Sequence, residues 1–211
     1  MKWSGLFWFG LIALLISSCN STDKSADSLS KDTVSISKNA DPVTDEETLT
    51  TIATEVLTTL KAKDYKAFTA YFHPTEGVLF SPYGFIDSKA SRKVTKTAFI
   101  KLIEENTAVN WGSYDGSGEP ILLTAQNYIE KFVYNADYLN AEKSAYNQVI
   151  GKGNSINNLE EVFPKHPYIE YHFSGFDKKY AGMDWTSLRL VFKLHQSNYY
   201  LVAIVHDQWT S

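Results

Sequence analysis

Apolar and polar positions change their period along this chain, and the change divides it into elements. Leu49, Ile52, Ala53, Val56, Leu57 and Leu60 recur at helical spacing on one face, which predicts a helix over 45–62. Thr44 with Glu47 three positions later makes a capping box at its start. Asp64 caps a second helix bearing Tyr65, Phe68, Tyr71 and Phe72. His73-Pro74 ends it, because the residue before a proline is pushed out of the helical region. A short strand Val78-Leu79-Phe80, the turn Ser81-Pro82-Tyr83-Gly84 and a helix over 95–106 capped by Thr95 follow. Residues 111–120 form a glycine-rich loop, and Thr124 starts a short helix carrying Tyr128, Ile129, Phe132 and Val133. The C-terminal third switches to a period of two. Ile169, Tyr171 and Phe173 alternate, as do Leu188, Leu190, Phe192 and Leu194, and 200–206 return as a last strand after a turn at 196–198. Helices first and an antiparallel meander last is an α+β pattern.

The first 43 residues follow another grammar. Lys2 precedes an uncharged stretch from Trp3 to Ile16, and Ser17-Ser18-Cys19 closes it. A positive start, a short apolar core and a small-residue cleavage site make a secretory signal over 1–18. The stretch falls short of the ~20 apolar residues that cross a bilayer. Residues 20–43 are almost wholly polar and without aromatics, so they cannot bury enough apolar area to offset ordering and predict a disordered tether. At roughly 5–6 Å × √n, two dozen such residues reach ~25–30 Å. Thr44 to Ser211 then make one globular domain.

Composition narrows the possibilities further. The chain has 211 residues, a net charge of −4, and 13 Tyr, 12 Phe and 5 Trp to build a core. Its charges are interspersed with no basic stripe, which argues against nucleic acid. Cys19 is the one cysteine. Without a second, neither a disulfide nor a thiolate metal site can form in the domain.

Two resemblances rest on particular residues. Leu14-Leu15-Ile16-Ser17-Ser18-Cys19 resembles the lipobox of bacterial lipoproteins. That implies cleavage before Cys19, a thioether-linked lipid with palmitate-type chains on it, and a domain held at a membrane of the bacterial cell envelope, outside the cytoplasm. A two- or three-chain anchor holds stably, since each buried methylene adds ~0.8 kcal/mol. The helical hairpin with Leu57-Thr58-Thr59-Leu60-Lys61-Ala62-Lys63-Asp64-Tyr65, the third helix and the closing sheet resemble the NTF2-like (SnoaL-like) cone. That implies N-terminal helices packed on a curved antiparallel sheet, here with an insertion around 111–165. The chain is also similar to uncharacterised bacterial exported proteins and lipoproteins. The matching stretches are His73-Pro74, Gly77-Val78, Phe80-Ser81-Pro82-Tyr83, 111–120, Gly182-Met183-Asp184-Trp185 and His206-Asp207-Gln208-Trp209.

The chemistry that the residues offer is sparse. Asp115, Ser117 and Glu119 fit the third, fifth and seventh positions of a calcium loop, but Ser113 and Thr124 stand where its first and last carboxylates belong. A tight turn with glycines at positive φ is the competing reading. The five histidines have no metal-site spacing, and no nucleophile elbow, phosphate loop or dinucleotide fingerprint is present, so neither a metal nor a cofactor is expected. His206 and Asp207 are neighbours on a strand and must face opposite ways. Alternation puts His206 with Tyr200, Val202 and Ile204, and Asp207 with Tyr199, Leu201, Ala203 and Val205. Both faces are apolar, which predicts helices over one and the insertion over the other.

An acid–base pair would therefore be cross-strand, His172 or His73 with Asp207. Tyr83, Trp111, Tyr114, Trp185 and Trp209, with Asp115 and His172, are candidates to line a ligand cleft, or else pack the open end of the sheet. The expectation is a lipid-anchored envelope protein that binds a small molecule or an envelope protein in a hollow between helices and sheet, without catalysis. The alternative is a cone-fold hydrolase or isomerase with His206 or Asp207 as general base.

Overall fold

The computed structural model describes residues 44–154 and 156–210. The signal segment, Cys19 and the tether expected over 19–43 lie outside the described residues. The domain begins with α1 (Asp45–Lys61), whose Thr44–Glu47 capping box is complete in both directions. Leu49, Ala53, Val56, Leu57 and Leu60 form its buried stripe. The next helix is shorter than its pattern suggests. α2 (Tyr65–Phe68) tightens into a 3₁₀ turn over Thr69–Tyr71, and Phe72 then leaves the helix to bridge Leu201. α3 (Lys96–Glu105) and α4 (Ala125–Phe132) start at Thr95 and Thr124, each of which accepts a hydrogen bond from the backbone N–H three residues on.

Among the described residues, eight strands form two sheets. β1 (Val78–Ser81), β2 (Arg92–Val94), β5 (Lys143–Tyr146), β6 (Tyr168–Phe173), β7 (Thr186–His195) and β8 (Asn198–Gln208) build a curved, unclosed sheet in the order β2-β1-β8-β7-β6-β5. β3 (Val109–Ser113) and β4 (Pro120–Leu123) pair separately as a hairpin. A short helix, α5 (Leu159–Val162), lies in the insertion. The sheet is not purely antiparallel, as the cone resemblance implied: β1 runs parallel to β8, with Leu79, Phe80 and Ser81 opposite Ala203, Ile204 and Val205. β7 and β8 turn tightly at Gln196 and Ser197, both at positive φ, as a two-residue hairpin between right-twisted strands demands.

Both faces of the sheet are covered. The helices and the β3–β4 hairpin pack on the first, around Phe68, Phe80, Phe99, Trp111, Tyr128 and Phe132. Phe80 stacks on Phe99, and Trp111 on Tyr128 with ring centroids 4.2 Å apart. These rings fill the space in which a ligand hollow was expected, so the concave interior is core and not a binding site. Leu79, Val191, Ala203 and Val205 face the other way, against Ile86, Leu159 and the flanks of α5. The later part of the insertion thus covers the second face, as expected, while its earlier part, the β3–β4 hairpin and α4, packs with the other helices on the first.

One irregularity corrects the facing of β8. Val191 pairs with Ala203 but Phe192 with Leu201, which leaves Val202 as an extra residue. Beyond the bulge the alternation reverses. Tyr199 and Leu201 pack into the helical core beside Ile204, whereas Val202 and Ala203 face the second cluster.

Candidate functional site

The sequence candidates scatter over three places. His206 lies on the helical side of the sheet, fully buried. Its Nδ1 meets the Pro82 carbonyl at 2.9 Å and its Nε2 the Thr186 hydroxyl at 3.0 Å. Thr186 in turn meets the Tyr138 hydroxyl at 2.8 Å, and Asn135 bonds both. A carbonyl accepts only, so Nδ1 carries the ring proton and donates to Pro82 while Nε2 accepts from Thr186. Burial pushes the imidazole down to about 4, against the Pro82 bond that favours its charged form. The ring is neutral, sealed and fully engaged. It has no free lone pair to offer a substrate.

Asp207 faces the second side, as strand geometry required, and joins a set that sequence reading missed. Arg189 Nη2 donates to its Oδ2 at 2.9 Å, and Arg189 Nε donates to Glu170 Oε2 at 2.8 Å. All three side chains are buried. Glu170 also accepts from the backbone of Ile150 at 3.1 Å and Gly151 at 2.8 Å. Burial pulls the Arg189 guanidinium down, but the two carboxylates outweigh it and its pKa stays raised. Two glycines make the seal possible. A Cβ on Gly84 would stand 2.6–2.9 Å from three Asp207 carboxylate atoms, and one on Gly151 would strike Trp185 at 2.7 Å.

His172 meets Ser187 at 2.8 Å on this same face, and Ser187 pairs in register with both His172 and Asp207, so it stands between them. His73 belongs to the other end of the sheet, where its backbone N–H donates to Leu201. The cross-strand acid–base pairs are therefore not assembled. Burial lowers the pKa of His172 and of His73, in each case against a nearby glutamate.

Only Tyr83, Tyr114 and Asp115 converge on an open site. It is a groove of about 480 Å³ at the end of the sheet where β8 finishes. Pro82, Tyr83, Phe85 and Asp87 from the loop after β1 form one wall; Gly112 to Asp115, at the tip of β3, form the second. Asn154 and Ile156 of the insertion close the third, with Ala90 and Ser91 completing the lining. Two loops are clamped reciprocally: Ile86 N–H donates to Asn158 Oδ1 at 2.8 Å, and Asn158 Nδ2 donates to Ile86 O at 3.2 Å. Burial raises the Tyr83 hydroxyl, while the Asp115 backbone N–H that donates to it acts the other way. Phe85 and Ile156 are 52% and 72% exposed, so the groove has apolar lips.

The other aromatic candidates lie elsewhere. Trp111 is buried in the core, its Nε1 donating to Leu123 O at 2.9 Å. Trp185 packs against Gly151 and Gly153 above the ion pairs, and Trp209 is 42% exposed near the C-terminus. The loop that resembles a calcium site is a hairpin turn. Tyr114 N–H donates to Glu119 O, Gly116 and Gly118 take positive φ, and Ser117 accepts from the Glu119 N–H. No cluster of three potential metal ligands occurs among the described residues. No helix among them is long and apolar enough to cross a membrane. No family model matches this chain, and no curated protein or solved structure matches it either.

Proposed function

We propose that this is a lipid-anchored protein of the bacterial cell envelope whose NTF2-like domain binds a small molecule in the rim groove and carries out no chemistry. The observation that supports it is the contrast between the two kinds of candidate site. His206 and Asp207, the residues with general-base potential, are buried and bonded on opposite faces, out of reach of a substrate. The groove is open, amphipathic and of the volume that suits a small ligand, about 300–1,000 Å³. Its aromatic walls are fixed by Tyr83 resting on Phe132 at 5.9 Å and by the bond from Asp115. The anchor rests on the order of charge, apolar core and serines before Cys19.

Two measurements test this reading. The mature chain, purified gently and examined by native mass spectrometry, should carry a bound molecule that Ser91→Trp displaces by filling the groove. In cell fractionation, Cys19→Ala should move the protein out of the membrane fraction. A chain that retains nothing and shows no binding in a ligand screen removes the groove function, while a variant that stays with the membrane removes the anchor.

A further inference from the structure

The groove's charge points to the class of its ligand. We infer that it receives a small organic cation, an ammonium group on an apolar body, with Asp115 and Asp87 supplying the counter-charge; this rests on the groove reading above. Asp87 and Asp115 are the acidic side chains that line it, and no lysine, arginine or histidine stands among the lining residues. Asp115 makes no side-chain hydrogen bond or ion pair with any described residue. Asp87 spends one oxygen on the Lys89 and Ala90 N–H groups, at 2.9 and 3.2 Å, which fixes the carboxylate at the groove wall. An anionic ligand would thus enter a site with two negative charges and no compensating base, whereas a cation would find both.

The aromatic walls favour the same charge. The faces of Tyr and Trp rings attract cations, with about 0.5–2 kcal/mol at stake depending on desolvation. Tyr114 already does this within the molecule: Lys131 Nζ lies 4.6 Å from its ring centroid and donates to its hydroxyl at 3.0 Å. Lys131 belongs to α4 and is not among the groove's lining residues. The neighbouring Arg92 is committed to Asn110 O at 3.0 Å and to the Trp111 ring at 5.8 Å. Phe85 and Ile156 at the lips would take the apolar body. The small volume favours a free molecule over a protein segment.

The test uses the full-length chain in nanodiscs of zwitterionic lipid and two probes that share a ring and differ in charge: benzyltrimethylammonium and benzylsulfonate. Binding is read by saturation-transfer NMR and titration calorimetry. The cation should bind at least tenfold tighter than the sulfonate. Asp115→Asn should erase most of that preference, Asp87→Asn part of it, and Ser91→Trp should abolish binding of both, with circular dichroism unchanged in each. Equal binding of the two probes overturns the cation inference and leaves the groove intact. Cation binding that survives Ser91→Trp also overturns it, since the probe then sits elsewhere. If neither probe binds the wild type, the inference fails; if a native ligand is still retained in the mass spectrometer, the groove reading survives without it.

Discussion

His206 shows what a side chain's surroundings do that its strand position cannot reveal. In the sequence it is a titratable group beside a carboxylate; in the fold it is a neutral hydrogen-bond bridge from Pro82 to Thr186. Its depressed pKa has a thermodynamic signature. Unfolded, the ring takes a proton near pH 6.5, but folded it does so only near 4, so the unfolded state binds more protons between these limits. The stability it contributes is complete above pH 6.5 and is lost as pH falls towards 4. At about 1.36 kcal/mol per unit, the loss is about 3 kcal/mol. Urea unfolding from pH 7.5 to 4 should show this decline, and His206→Gln should flatten most of it. His73 and His172 are shifted in the same direction and leave a residual slope. Glu170 and Arg189 were illegible for a related reason. Each alternates with apolar neighbours, which reads as a solvent-facing position, and only the register Glu170↔Arg189 turns them into partners.

Elements were legible where one local rule sufficed. The Thr44–Glu47 capping box, the stripes of α1, α3 and α4 and the β6 and β7 alternation appear where the pattern puts them. β2, β3, β4 and β5 were not seen, because Arg92-Lys93-Val94 and Lys143-Ser144-Ala145-Tyr146 have no apolar alternation and take their conformation from the strand beside them. Trp111 looked like cleft material in a glycine loop, yet β3 carries it into the core. The Val202 bulge was invisible too, since one added residue leaves an apolar run apolar while reversing its faces. Across β6, β7 and β8 the Glu170–Arg189–Asp207 set acts as a crosspiece. Arg189→Met would remove the cation that the buried Glu170 and Asp207 carboxylates share, and loss of one partner of a buried pair typically costs about 3–5 kcal/mol. Chemical denaturation at pH 7 should register that loss while the far-ultraviolet spectrum of the remaining folded fraction stays native.

At the scale of the molecule, the groove and the start of the domain stand at opposite ends of the sheet. Asp45 bonds Tyr199 beside the β7–β8 turn, whereas the groove opens where β8 ends. Eleven residues of strand at about 3.3 Å each put roughly 35 Å between them. The parallel pairing of β1 with β8 carries a different consequence, one of timing. The first strand made is flanked by the last, so a chain emerging from its N-terminus can form the helical hairpin early but must hold one main-chain edge of β1 unpaired until 198–208 arrive. Ending the chain at Ser197 should therefore yield a species without a cooperative thermal transition, detectable by its binding of a hydrophobic dye and its rapid proteolysis, and adding back 198–208 as a separate peptide should rescue the fold.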